Sequence, residues 1–207
     1  MPVKLNSSGG GSVTIDVPST ASSFTLTAPA ATATLITTGS SGQVIPKAAL
    51  PTGSVLQVTS NTIYSTQTMS ITTSGTLVAS GFTLPITPTT NTSKILILYT
   101  STFGSTSSNS GVGGNVQMYR NVGGGSYGFV GGSYNTYWNT IATYIAYQQL
   151  SFTIMYLDSP ATTSQVIYQP YFNVSCGTAG GLGVLGGRNT DGLQYSGSHM
   201  IAMEIAA

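Results

Sequence analysis

The chain has 207 residues, enough for one ordinary domain with an appendage. Five Lys or Arg, four Asp or Glu and one His leave only 4% charged residues and a formal net charge of +1, against about 25% charged in typical soluble domains. This balance excludes a basic surface that neutralises phosphates. No apolar run approaches the roughly 18 residues of a membrane helix, and recurrent Val, Ile and Thr with 9% aromatics argue against disorder.

With so few charges, the surface must consist of hydroxyls, amides and glycine. A chain of this kind reduces its exposed apolar area by packing against copies of itself, so a homo-oligomer is expected. The start, Met1-Pro2-Val3-Lys4-Leu5-Asn6, runs into Ser and Gly rather than an apolar h-region, so the expectation is a protein without a secretory leader, made in the cytoplasm. A lone Cys176 forms no intramolecular disulfide, and the Asn-x-Ser/Thr matches at Asn6, Asn91 and Asn173 then read as chance.

Residues 1–52 read as an extended arm. Short alternating stretches (Val13 to Val17, Phe24 to Thr27, Leu35 to Thr37) are separated by Pro18, Ser19, Pro29 and Gly39, a pattern of brief strands and turns. None buries itself alone, so Val13, Ile15, Val17, Phe24 and Leu26 are the candidates for attachment to a partner chain. Val44 to Pro51 reads as an extended linker, because Pro46 and Pro51 oppose regular pairing.

Residues 53–207 carry longer strand signals: Ser54 to Ser60, Thr62 to Thr73, Thr76 to Pro85, Lys94 to Thr102, Asn115 to Asn121, Ile145 to Leu157, Gln165 to Ser175 and Ser198 to Ala206. Leu150, Phe152, Ile154 and Tyr156 share one parity, as do Val166, Tyr168, Phe172 and Val174, and then Ile201, Met203 and Ile205. Period two of this kind means half-buried antiparallel strands. Only Tyr134 to Ala146 allows a short helix, and it suits strand equally. The fold expected is all-β, an antiparallel β-sandwich head of jelly-roll type.

Catalytic signals are weak. Asp16, Asp158, Asp191 and Glu204 stand far apart with no motif around them, and Asp158 opens a good turn, Asp158-Ser159-Pro160. His199 is the only histidine and lacks a nucleophile elbow or metal-ligand spacing, so it reads as a strand or partner-contact residue, and Cys176 as a small buried group. Gly123-Gly124-Gly125-Ser126-Tyr127-Gly128 matches a phosphate-cradling pattern, but no helix follows, and a flexible loop is the reading. Neither enzyme, metal nor cofactor is expected.

The informative stretch is Gly111 to Asn139, which mixes glycine-rich loops with Tyr119, Arg120, Tyr127, Phe129, Tyr134, Tyr137 and Trp138 beside Asn135 and Asn139. Aromatic faces next to amides are what a sugar-binding surface uses. The other reading places the same rings in the core or a subunit interface.

Several segments resemble tail-fibre-like and virion structural proteins of aquatic tailed phages. They are Leu50 to Val58, Ile86-Thr87-Pro88 leading to Thr92 to Ile97, Leu157 to Thr163, the ending Met203 to Ala206, and, in the arm, Gly10 to Thr14, Pro18 to Leu26 and Pro29-Ala30-Ala31. The resemblance implies a virion protein: a homotrimer with intertwined N-terminal strands and β-sandwich heads. Its partners would be itself, baseplate, tail or capsid proteins, and a host-surface glycan, without nucleic acid or membrane insertion. Two roles follow, a short tail fibre that binds the host, or a capsid cement protein clamped by the arm. Loop 111–139 follows no shared pattern, and variable loops on a fixed scaffold commonly carry recognition.

Overall fold

The computed structural model describes residues 3–6, 8–15, 50–64, 67–71, 76–105, 112–138, 149–175, 181–185 and 197–207. The chain divides into two compact units, Met1–Val44 and Ile45–Ala207. In the first, β1 (Val3–Asn6) pairs antiparallel with β2 (Ser12–Ile15), Val3 opposite Ile15 and Asn6 opposite Ser12. Val13 and Ile15 lie on β2, whereas Val17, Phe24 and Leu26 fall outside the described residues.

The second unit contains β3 (Val55–Ile63), β4 (Gln67–Ile71), β5 (Val78–Ala79), β6 (Leu84–Ile86), β7 (Lys94–Ser105), β8 (Val112–Val122), β9 (Gly128–Trp138), β10 (Gln149–Asp158), β11 (Val166–Ser175), β12 (Gly181–Leu185) and β13 (Ser198–Ile205). All pairings are antiparallel, and no helix occurs among the described residues. One sheet runs β3-β13-β7-β10, with β12 continuing along the far end of β7 and β4 beside it. The other runs β6-β11-β8-β9, with β5 taking over from β6 along β11.

These pairings are nested. Taking β3, β6, β7, β8, β9, β10, β11 and β13 in chain order, the first pairs with the last, the second with the seventh, the third with the sixth and the fourth with the fifth. One long hairpin wound onto two sheets gives this order, and it defines a jelly roll. The expected sandwich is therefore found, with changes of detail. Ser54 to Ser60 and the start of Thr62 to Thr73 form one strand, β3, and β12 had no sequence signal. The stretch expected as a flexible glycine-rich loop, Gly123 to Gly128, is the turn that joins β8 to β9, with Gly128 opening β9. Gly131 and Gly132 break the apolar alternation that would have marked β9; of the stretch Tyr134 to Ala146, which suited helix or strand, Tyr134 to Trp138 is strand and 139–146 lie outside the described residues.

A single core fills the space between the sheets. Ile95, Ile97, Tyr99, Phe152, Ile154, Met200 and Ala202 meet Phe82, Leu84, Ile86, Val116, Met118, Val166, Tyr168 and Phe172, each large side chain contributing about 2 kcal/mol on burial. Pro170 is accommodated on β11 where β6 gives way to β5, and its carbonyl accepts the Ser80 N–H at 3.0 Å. Burial pushes the Tyr99 hydroxyl up to about 12, with the Ser101 and Ser198 hydroxyls opposing.

On β13 the buried parity differs from the one expected. Met200, Ala202 and Glu204 face inward, and Ile201, Met203 and Ile205 face out. The misleading residue is Glu204, fully buried because its carboxylate is satisfied. Its Oε1 accepts the backbone N–H and the hydroxyl of Thr89, both at 2.6 Å, and its Oε2 accepts the Gln57 amide at 2.6 Å. Gln57 also donates to the Thr87 carbonyl at 2.7 Å and Asn61 to the Thr83 carbonyl at 2.9 Å. The crossover from one sheet to the other is thus tied to β3 and β13.

Burial works to raise the Glu204 carboxyl, but the hydrogen bonds from Thr89, Ser93 and Gln57 outweigh it and hold it below the ordinary 4.5. The unfolded chain therefore binds this proton more readily than the folded one, and the contribution to stability is complete above 4.5 and is lost as pH falls through the lower folded value. Glu204→Gln sets a donor against the Gln57 donor and should cost about 2 kcal/mol at neutral pH, while flattening the acid limb of the melting temperature against pH.

Gly131 has φ +123, and a Cβ there would stand 2.8 Å from the Tyr156 ring. Gly131→Ala should cost about 2 to 3 kcal/mol in chemical denaturation. At Gly128 nothing lies within 4 Å, and the same change should stay within about 0.5 kcal/mol.

Candidate functional site

The β6-β11-β8-β9 sheet presents its other face outward, and there the aromatic residues collect. Met118 points into the core, so its neighbour Tyr119 points out. Tyr119 pairs in register with Phe129 on β9, their ring centroids 5.8 Å apart. On the other side Tyr171 of β11, diagonal to Tyr119 across the β8-β11 ladder, brings its ring to 4.3 Å at an interplanar angle of 33°. Tyr127, arriving from the turn, lies 5.9 Å from Tyr171. Four rings from three strands and one turn form a continuous strip, and Phe129 is 52% exposed.

The turn that delivers Tyr127 is built rather than loose. Gly123 and Gly124 have φ of 58° and 82°, the signature of a type I′ turn, closed by Gly125 N–H to the Val122 carbonyl at 3.0 Å. The Asn121 side chain accepts from Gly124 N–H at 3.0 Å and donates to the Gly125 carbonyl. Gly123 N–H donates to the Gln165 carbonyl at 2.9 Å. These glycines make a hairpin followed by a strand, which is no phosphate cradle.

Of the sequence candidates, Tyr119 and Tyr127 are brought together. Arg120 is on the opposite face of β8 and donates to Asp158 Oδ1. Tyr134, Tyr137 and Trp138 lie on β9, at positions paired with Val116, Gly113 and Val112. Tyr171 was missed, although a signal existed. Tyr168 and Phe172 share the buried parity of β11, and Tyr171 is the aromatic on the other parity.

The strip carries three phenol hydroxyls, with Gln117 accepting from Tyr119 OH at 3.4 Å, and no charged side chain belongs to it. Burial first, then the neighbouring Tyr127 and Tyr119, raise the Tyr171 hydroxyl above its ordinary 10.0. Flat rings flanked by hydroxyls and an amide suit a neutral ligand with C–H faces and hydroxyls. Among the described residues no cluster of His, Cys, Asp or Glu is placed to hold a metal. His199 is exposed on β13, its Nδ1 3.1 Å from the Thr62 hydroxyl and its ring edge-on to Tyr64. Asp16, Asp191 and Cys176 lie outside the described residues.

Beneath the strip, Asp158 fixes β8 and β11 from within. Besides Arg120, it accepts Ser159 N–H at 2.8 Å and the Tyr168 hydroxyl at 2.7 Å. Burial, then the charge and hydrogen bond of Asp158, push the Tyr168 hydroxyl far up, against the pull of Arg120. Removing one partner of a buried pair strands the other. Arg120→Ala should therefore destabilise the fold by about 3 kcal/mol in denaturant titration, with Asp158→Ala at least as costly because it also strands Tyr168.

No protein-family model matches the sequence, and no curated protein matches it. Among solved structures, the fold is similar to a VP2 subviral particle of infectious bursal disease virus, at 13% identity and TM-score 0.38 over 74% of this chain and 39% of that one. It is also similar to the Gx strain of that virus (16%, TM-score 0.39, 80% and 42%) and to its T13 particle (17%, TM-score 0.38, 74% and 37%). This chain spans about two fifths of those chains. The assignment to the jelly-roll class rests on the nested strand pairing itself.

Proposed function

We propose that this chain is a non-enzymatic structural protein of a virion, the homotrimeric head of a short tail fibre that contacts a host-surface glycan. The observation that carries the reading is the aromatic strip on a jelly-roll scaffold, an architecture used by viral capsid and lectin domains alike. The near-absence of charge supports life inside an assembly, and the two described carboxylates, Asp158 and Glu204, are each taken up by structural hydrogen bonds. Each subunit would bind weakly, and three copies would add avidity through effective concentration.

A second reading, a capsid cement protein, has its own observation. The β1-β2 hairpin belongs to the unit Met1–Val44, and two strands alone are marginal in water. Such a hairpin suits strand addition to a neighbour's sheet edge.

Particles carrying Tyr119→Ala with Phe129→Ala should lose adsorption to host cells by about tenfold or more, one missing ring contact being worth about 1 kcal/mol per site, while the protein keeps its assembly state. Unchanged adsorption would remove the strip as the contact. Loss of particle attachment on deleting residues 1–44, with adsorption unaltered, would favour the cement role.

A further inference from the structure

The outer face of the β3-β13-β7-β10 sheet is apolar in a way that a solvent-facing sheet is not. Pairing registers align Val58, Met203, Leu96 and Leu157 in one row across four strands, and Ser60, Ile201, Leu98 and Met155 in the next. Met155 is 69% exposed, Val58 56% and Leu157 48%. The inward neighbours Ile95, Ile97, Tyr99, Met200, Ala202 and Ile154 already form the core. Strands apolar at consecutive positions are those buried on both faces, and among the described residues only one face of this sheet is covered.

We propose that this face is where one copy of the chain packs against a second copy. Its four strands are 9, 8, 12 and 10 residues long, so it measures roughly 20 Å by 25 Å, about 500 Å² in flat projection before side-chain relief. That approaches the ~800 Å² of accessible surface that each partner of a stable pair buries. The two apolar rows hold no charge. Lys94 and His199 lie at opposite ends, level with Ile205 and Thr100 respectively. An ordinary protein surface, about a quarter charged, would bury unpaired charges against these rows. A surface of this chain, 4% charged, does not. In a homotrimer this face meets a different, equally charge-poor surface of the next copy, since two identical faces packed on each other would close a dimer.

The inference rests on reading the chain as a self-assembling virion subunit, and it is tested without virion or receptor. In sedimentation, the 207-residue chain is expected at a multiple of 21.2 kDa, and the Val58→Lys, Met155→Lys double variant near 21.2 kDa with an unaltered β circular-dichroism spectrum. As a check that needs no substitution, dilute hydrogen peroxide applied to the unaltered oligomer should convert Met155 to sulfoxide at least about tenfold more slowly than an equally exposed methionine, because sulfoxide formation follows access. An oligomer with Met155 freely oxidised, or a folded double variant of unchanged mass, would overturn the face while leaving self-assembly intact. A monomeric unaltered chain at micromolar concentration would overturn both.

Discussion

Strand β7 has a partner along each edge, β13 on one and β10 on the other, and its inward side chains Ile95, Ile97 and Tyr99 are wholly excluded from solvent. Every other part of the head is placed relative to it. The pairing with β10 sets where Asp158 falls, and Asp158 ties down Arg120 of β8 and Tyr168 of β11 in the facing sheet. The pairing with β13 sets where Glu204 falls, and Glu204 holds the crossover that leads into β7. Two buried carboxylates, flanking Ile95 from β10 and β13, thus lock two crossings at the same end of the sandwich, each costly to desolvate and each satisfied by several donors.

The sparse charge follows the same logic. Among the described residues, the interior charges are structural, and the outward faces carry mainly rings, aliphatic side chains and hydroxyls, with Lys94 and His199 at the ends of one of them. The two outer faces consequently differ in chemistry. One offers π-faces with phenol hydroxyls and an amide, suited to a polar neutral ligand. The other offers aliphatic rows and methionines, suited to a dry protein contact. Ligand contact on one sheet and self-association on the other are compatible in one particle because the faces point away from each other.

Much of this was legible in the residues. Parity identified the buried sides of β10 and β11 through Phe152, Ile154, Tyr168 and Phe172, and Asp158 was readable as a turn residue that bonds the next backbone N–H. Only the later part of β9 was legible, as a stretch that suited strand or helix, because Gly131 and Gly132 dilute the pattern before Tyr134. The orientation of β13 read the wrong way round, since a satisfied buried glutamate is indistinguishable in sequence from an exposed one. Within the strip, Tyr119 and Tyr127 were nominated by composition alone. Arg120 was grouped with them by proximity in the chain, although adjacent strand residues face opposite ways. Tyr171, fifty-two positions beyond Tyr119, could be joined to it only by the β8-β11 pairing.

Whether this jelly roll is a surface component of a virion is measured directly by electron cryomicroscopy of intact particles labelled with antibody against residues 53–207. Label on projections from the tail is the result predicted, and label over the shell would transfer the chain to the cement role. Particles that carry no label, while the antibody recognises the folded protein in infected cells, would contradict the claim.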